Sequence, residues 1–227
     1  MSEPPEVKSS PWKWTVSAIV VGWGVALCAV WWSMTAYSYQ IDGTALPIVA
    51  WPSDANLSIA ADRPTVLLFL HPRCPCSAAS LTELEQAILE TPAARKPRVL
   101  VIAAVPTQYD AQWTETRNVV RGEQLPHASV VIDAGGLESH KFGVVSSGHV
   151  MAFAPSGELL FSGGVTQSRG HAGNNTGRAS LIRALTGVAF STAEIPVFGC
   201  RLCLPDPSSL DGSGATAPLD RNQVTFP

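Results

Sequence analysis

No charged residue occurs between Lys13 and Asp42, and the stretch from Val16 to Met34 is almost wholly apolar. A helix built from such a run has no polar face to turn toward water, so it belongs in a core or in a bilayer. At 1.5 Å rise per residue that length crosses a hydrocarbon layer of roughly 30 Å. Trp12 and Trp14 stand at one end, with Trp31, Trp32, Tyr37 and Tyr39 at the other, as amphipathic rings do at lipid–water boundaries. Lys8 and Lys13 precede the run, and the next basic residue is Arg63. The positive-inside bias then leaves residues 1–13 in the cytoplasm, a transmembrane helix over 14–40, and everything later outside, periplasmic or extracellular. A cleaved secretory signal is the rival reading, with an apolar stretch of only about 7–15 residues and a small-x-small site behind it. This run is longer, and Ser33-Met34-Thr35-Ala36 makes a poor cleavage site. Either reading exports the rest of the chain. Cys28, inside the span, is read as a small hydrophobe.

Composition agrees with that division. Only 15% of the 227 residues are charged, against about a quarter in an average soluble domain. The net charge of −3 and the lack of a long basic run argue against a nucleic-acid partner.

Residues 41–63, with Pro47 and Pro52 and a further Pro64 just beyond, read as an extended linker, with one short strand expected at Ile48-Val49-Ala50-Trp51. From there the pattern is regular. Thr65 to Leu70 is a buried strand by its continuous apolar, β-branched content. Ser77 to Thr91 is a helix with Leu81, Leu84 and Ile88 on one face and Glu83, Gln86 and Glu90 on others, ended by Pro92. Val99 to Val105 is a second strand. Asp110 caps a helix expected over Ala111 to Arg121, with Gly122 placed to close it. Ser129 to Asp133 is a third strand, followed by a Gly-Gly turn and a short helical stretch through Phe142. His149 to Phe153 and Glu158 to Ser162 form a hairpin around Ala154-Pro155-Ser156-Gly157. A last helix, Thr176 to Thr186, stops at Gly187. The order β-α-β-α-β-α-β-β-α predicts an α/β domain over 64–190 with parallel strands and an antiparallel hairpin. Residues 191–227, rich in Pro, Gly, Ser and Asp, read as a mostly flexible tail, except around the pair Cys200 and Cys203.

Four of the five cysteines fall into two close pairs, which points to redox chemistry or metal. His71-Pro72-Arg73-Cys74-Pro75-Cys76-Ser77 joins the first long strand to the first helix of the domain. A helix N-terminus presents unpaired N–H groups that favour a thiolate, and Arg73 adds a positive charge beside Cys74. Strand, Pro-containing Cys pair and helix, with the later Phe142-Gly143-Val144 and the Pro155-Ser156-Gly157 hairpin, resemble the thioredoxin-like superfamily. Its membrane-anchored, extracytoplasmic branch of TlpA-like and RedB-like thiol–disulfide proteins is the nearest in character. The resemblance covers about residues 63–190. It implies a thioredoxin-like fold, a redox-active pair at Cys74 and Cys76 facing a shallow peptide-binding surface, and protein thiols or disulfides as substrates. No cofactor is implied.

Two departures stand out. The superfamily spaces its cysteines Cys-x-x-Cys, whereas Pro75 alone separates Cys74 from Cys76; a bond across one residue strains the backbone and is easily reduced. Ser147-Gly148 also stands where the superfamily places a cis-proline. These departures open a second reading, a copper(I) metallochaperone using Cys74, Cys76 and His149 or His71, since soft thiolates and imidazole select that ion. On its own residues His149 reads as a hydrogen-bonded edge-strand histidine, and His71 as a group that orients the Cys loop or tunes a pKa.

Cys200-Arg201-Leu202-Cys203 has three readings: a local structural disulfide, a second catalytic pair that relays electrons from Cys74 and Cys76, or half of a four-thiolate zinc site. The loop Ser168 to Arg178 is read as structural or as an anion or partner site with Arg169 and Arg178 as clamps. On the latter basis the chain would be a non-catalytic interaction module. His127 and His140 are expected at the surface, and Trp113 in the core.

Overall fold

The computed structural model describes residues 11–41, 47–188 and 195–205. It begins with α1 (Pro11–Ser38), whose segment Trp12–Ser38 is long and apolar enough to cross a membrane and has no residue of its apolar window buried by the rest of the chain.

The domain runs β1 (Thr65–Leu70), α2 (Ser77–Glu90), a single 3₁₀ turn (Ala93–Arg95), β2 (Arg98–Val105), α3 (Ala111–Thr114), α4 (Arg117–Glu123), β3 (Ala128–Ala134), α5 (Leu137–Lys141), β4 (His149–Phe153), β5 (Leu159–Gly164) and α6 (Thr176–Thr186). The sheet order is β3-β2-β1-β4-β5. β1 pairs parallel with β2 and β2 with β3, while β4 runs antiparallel to both β1 and β5. This is the α/β arrangement of parallel strands and antiparallel hairpin that the element order predicts, and it agrees with the thioredoxin-like fold that the resemblance implies.

Side-chain alternation divides β1 between two cores. Val66, Leu68 and Leu70 meet Leu81, Leu84 and Ile88 of α2 and Leu181 and Leu185 of α6. Leu67 and Phe69 face the opposite way, toward Phe142, Val144 and Phe153. That second core needs a cover, and residues 48–59 provide part of it. Ile48, Leu57 and Ile59 pack there, and the Trp51 ring meets Phe142 and Phe153 edge-on, each at 5.1 Å. The Asn56 backbone N–H and side-chain amide both donate to Glu138. The expected linker is thus partly wall, and its expected strand reduces to one bridge between Ala50 and Glu158.

Three further differences have local causes. The helix expected over Ala111 to Arg121 breaks in two because Thr116 caps anew, its hydroxyl accepting from Val119 N–H. Gly122 therefore lies within α4, where an added Cβ would come 3.1 Å from Val101, so it serves close helix–sheet packing rather than closure. Glu83 is not on a solvent face. It is 2% exposed and accepts from Gly173 N–H, the Asn175 amide and Arg178 at 2.7–3.1 Å. The 168–178 loop thus hangs from α2, and Arg178 is paired with Glu83 rather than open to a ligand.

Residues 195–205, expected within a mostly flexible tail, lie across the domain as a strap. Ile195 bridges Gly163, and Arg201 bridges Ser146 in antiparallel fashion. Ser147 N–H donates to Cys200 C=O, and Leu202 N–H to Val145 C=O. Leu202 is 5% exposed and joins the Phe142–Val144 core, which explains why an apolar residue stands between two polar neighbours. Gly199 permits the approach: a Cβ there would sit 1.8 Å from Ser147 O.

Candidate functional site

The Cys loop follows β1 directly. Cys76 is the N-cap of α2, so Cys74 lies just ahead of the helix's unpaired N–H groups. Asn118 of α4 fixes the loop from the side, its amide donating to Pro72 O and Cys74 O at 2.9 Å each. Ser147 fixes it from the sheet, accepting from His71 N–H and sharing a hydrogen bond with Ser77 Oγ at 2.9 Å. Sequence patterning gives Asn118 no mark beyond a polar residue on a short amphipathic helix, whereas Ser147 stands out through the resemblance, at the position where the superfamily places a cis-proline.

Over this loop lies the strap, and Cys200 Sγ rests 2.7 Å from Cys74 Sγ. The sulfurs of Cys74, Cys76 and Cys200 all lie within 4.8 Å of one another. Cys74 and Cys76 are only 2% and 7% exposed, so both thiols are covered rather than open to solvent.

The three thiols are electrostatically unequal. Burial works to raise the Cys74 pKa. Hydrogen bonds to its sulfur from the Cys200 thiol and from the backbone N–H groups of Cys200, Cys76 and Ser77 outweigh it, and the net shift is downward. Burial pushes Cys76 up, reinforced by the charge on Cys74. Cys200 is pushed up to about 12 by burial and by the proton it shares with Cys74. Of the three, Cys74 is the sulfur most readily deprotonated. Hydrogen bonding rather than Arg73 is responsible. The Arg73 guanidinium lies over the Trp113 ring, 4.1 Å from its centroid, and Trp113 is half-buried at the rim of the loop rather than in the core.

The other expected site residues lie apart. Cys203 is not bonded to Cys200; its carbonyl packs against Gly136, where a Cβ would approach within 1.9 Å. His149 is not on an edge strand, since β4 lies between β1 and β5. It is buried, with Nε2 2.8 Å from Ser162 Oγ, and burial lowers its pKa to about 4. His71 Nδ1 accepts from Arg73 N–H, and its pKa is lowered, chiefly by burial. Neither histidine joins the thiols. Arg169 donates through its backbone to Ser38 O and through Nε to Gln40 O, with its guanidinium over the Tyr37 ring, so the 168–178 loop grips the end of α1. His127 and His140 are exposed, as expected.

No protein-family model matches the chain, and no curated protein matches it in sequence. Solved structures do match it in shape. A hypothetical protein of Sinorhizobium meliloti 1021 superposes with a TM-score of 0.51 at 19% identity, over 74% of this chain and 96% of that one. An uncharacterized conserved protein of Geobacillus kaustophilus gives 0.51 and 19%, over 75% and 94%. A secreted disulfide oxidoreductase of Mycobacterium tuberculosis lies further off, with a TM-score of 0.37 and 17% identity over 56% of this chain and 82% of that one. That last likeness is too slight to bear on the chemistry. The chain is thioredoxin-like in fold, and its thiols stand at the end of β1 and the start of α2.

Proposed function

We propose that the protein is a membrane-anchored, extracytoplasmic thiol–disulfide oxidoreductase that works through Cys74. The supporting observation is the Cys74 sulfur, ahead of the α2 N-terminus, with a lowered pKa and a protonated Cys200 thiol in contact. Thiolate is the attacking form in exchange, and a neighbouring thiol resolves the intermediate.

In the first step the strap lifts and the Cys74 thiolate attacks one sulfur of a partner's disulfide. That S–S bond breaks, and its electron pair leaves on the partner's other sulfur, which takes up a proton. In the second step Cys200 gives up its proton and attacks the Cys74 sulfur, expelling the partner's remaining sulfur as a thiol. The partner gains two electrons, and Cys74 and Cys200 are left joined. Run in reverse, the same steps oxidise a partner's dithiol. Cys76 resolves less readily, because a bond across Pro75 closes a small, strained ring. Cys203 then serves as a relay only after the strap moves.

The test is exchange with a small disulfide probe by the detergent-solubilised protein. Cys74→Ser is expected to abolish exchange, and Cys200→Ser to complete the first step and accumulate a Cys74 mixed disulfide, read by intact mass. Unchanged exchange in Cys74→Ser would end the proposal.

A further inference from the structure

The thiols of Cys74, Cys76 and Cys200 converge from two separate segments. Among the described residues no histidine or carboxylate joins the group. His149 is held by Ser162, and Cys203 lies outside the cluster. What remains is a donor set of sulfur alone, shielded beneath the strap.

We propose that the reduced protein binds one copper(I) ion through the sulfurs of Cys74, Cys76 and Cys200, in a trigonal three-thiolate site. A metal about 2.3 Å from each of three sulfurs holds them about 4 Å apart. That spacing falls inside the 4.8 Å span of the group. The 2.7 Å contact between Cys74 and Cys200 has to open.

Sulfur-only ligation selects soft copper(I) over hard oxygen-seeking cations. Zinc completes a tetrahedron with a fourth donor, and this cluster offers none. Each thiol releases its proton as it binds, so affinity rises with pH. Three thiolates around a monovalent ion leave two excess negative charges. Arg169, whose positive charge acts on both Cys76 and Cys200, lies where part of that excess is offset. No electron is transferred in the binding, so the site stands independently of the exchange chemistry.

The experiment uses the full chain in detergent, reduced and anaerobic, titrated with copper(I) against a chromogenic chelator. X-ray absorption then reports the coordination of the loaded protein. One ion per chain with three sulfurs at a common distance is expected, together with at least a tenfold weaker affinity in Cys200→Ser. Cys203→Ser and Cys28→Ser should bind as the wild type does. Two-sulfur or nitrogen-containing coordination would overturn the site, as would equal affinity in Cys200→Ser or an equal loss in Cys203→Ser. If Cys200→Ser fails to melt cooperatively, the sulfur count in the wild type decides alone. Disulfide exchange by the metal-free protein is scored in parallel. Exchange that persists without copper binding removes this site and leaves the oxidoreductase reading standing.

Discussion

At His149, burial sets a pH signature distinct from that of the thiols. Its folded-state pKa lies near 4, below the ordinary 6.5, so the fold favours the neutral ring. The stability contributed by that preference is complete above the ordinary value and is lost as pH falls from there toward 4. Going from pH 7.5 to 5 should therefore cost the wild type about 2 kcal/mol more than His149→Gln, which keeps a donor for Ser162 without a titrating ring. Urea melts at the two pH values measure the difference, and parallel pH dependences would refute the assignment. The thiols themselves were legible in the sequence, since two close Cys pairs and a helix start announce reactive sulfur. Their partnership was not. Cys74 meets Cys200 rather than Cys76 or a histidine because the strap folds back across 126 positions, and local spacing carries no trace of that.

Among elements, the strands and principal helices follow from apolar runs and caps, and β1 through β5 lie close to where patterning puts them. Misreadings cluster where tertiary contact overrides local signal. Thr116 splits a helix by offering a second cap, Glu83 turns inward to hold a loop, and residues 48–59 cover a core face that no periodicity revealed. The strap is the largest such case. Its Pro- and Gly-rich composition resembles a tail, yet Leu202 and the close approach at Gly199 fit it to the domain. Gly199→Ala should dislodge it, at a cost of about 1–3 kcal/mol from the clash with Ser147. Alkylation of Cys74 and Cys200 in the native protein should then quicken, as followed by peptide mass. Unchanged labelling would mean that the strap does not guard the thiols.

At the scale of the whole molecule, the end of α1 meets the thiol domain through Arg169 and through Tyr39 against Phe198, two residues before Cys200. If α1 crosses a membrane, these contacts would hold the sulfurs near the lipid surface. If the positive-inside bias of Lys8 and Lys13 sets the orientation, a phosphatase fused after residue 227 and active only outside the cytoplasm should be active. A silent fusion that is stably made would reverse the orientation. The contact between Cys74 and Cys200 has a mechanical consequence as well. Should oxidation join them, the bond would close a loop of about 126 residues and remove about 5 kcal/mol of conformational freedom from the unfolded chain. For a domain of this size that corresponds to a melting temperature higher by about 10–20 °C. Calorimetry of oxidised and reduced protein would expose the difference, and coincident melts would show that no such bond forms. Heat tolerance would then act as a gauge of the surrounding redox potential, with the reduced form the more perishable of the two.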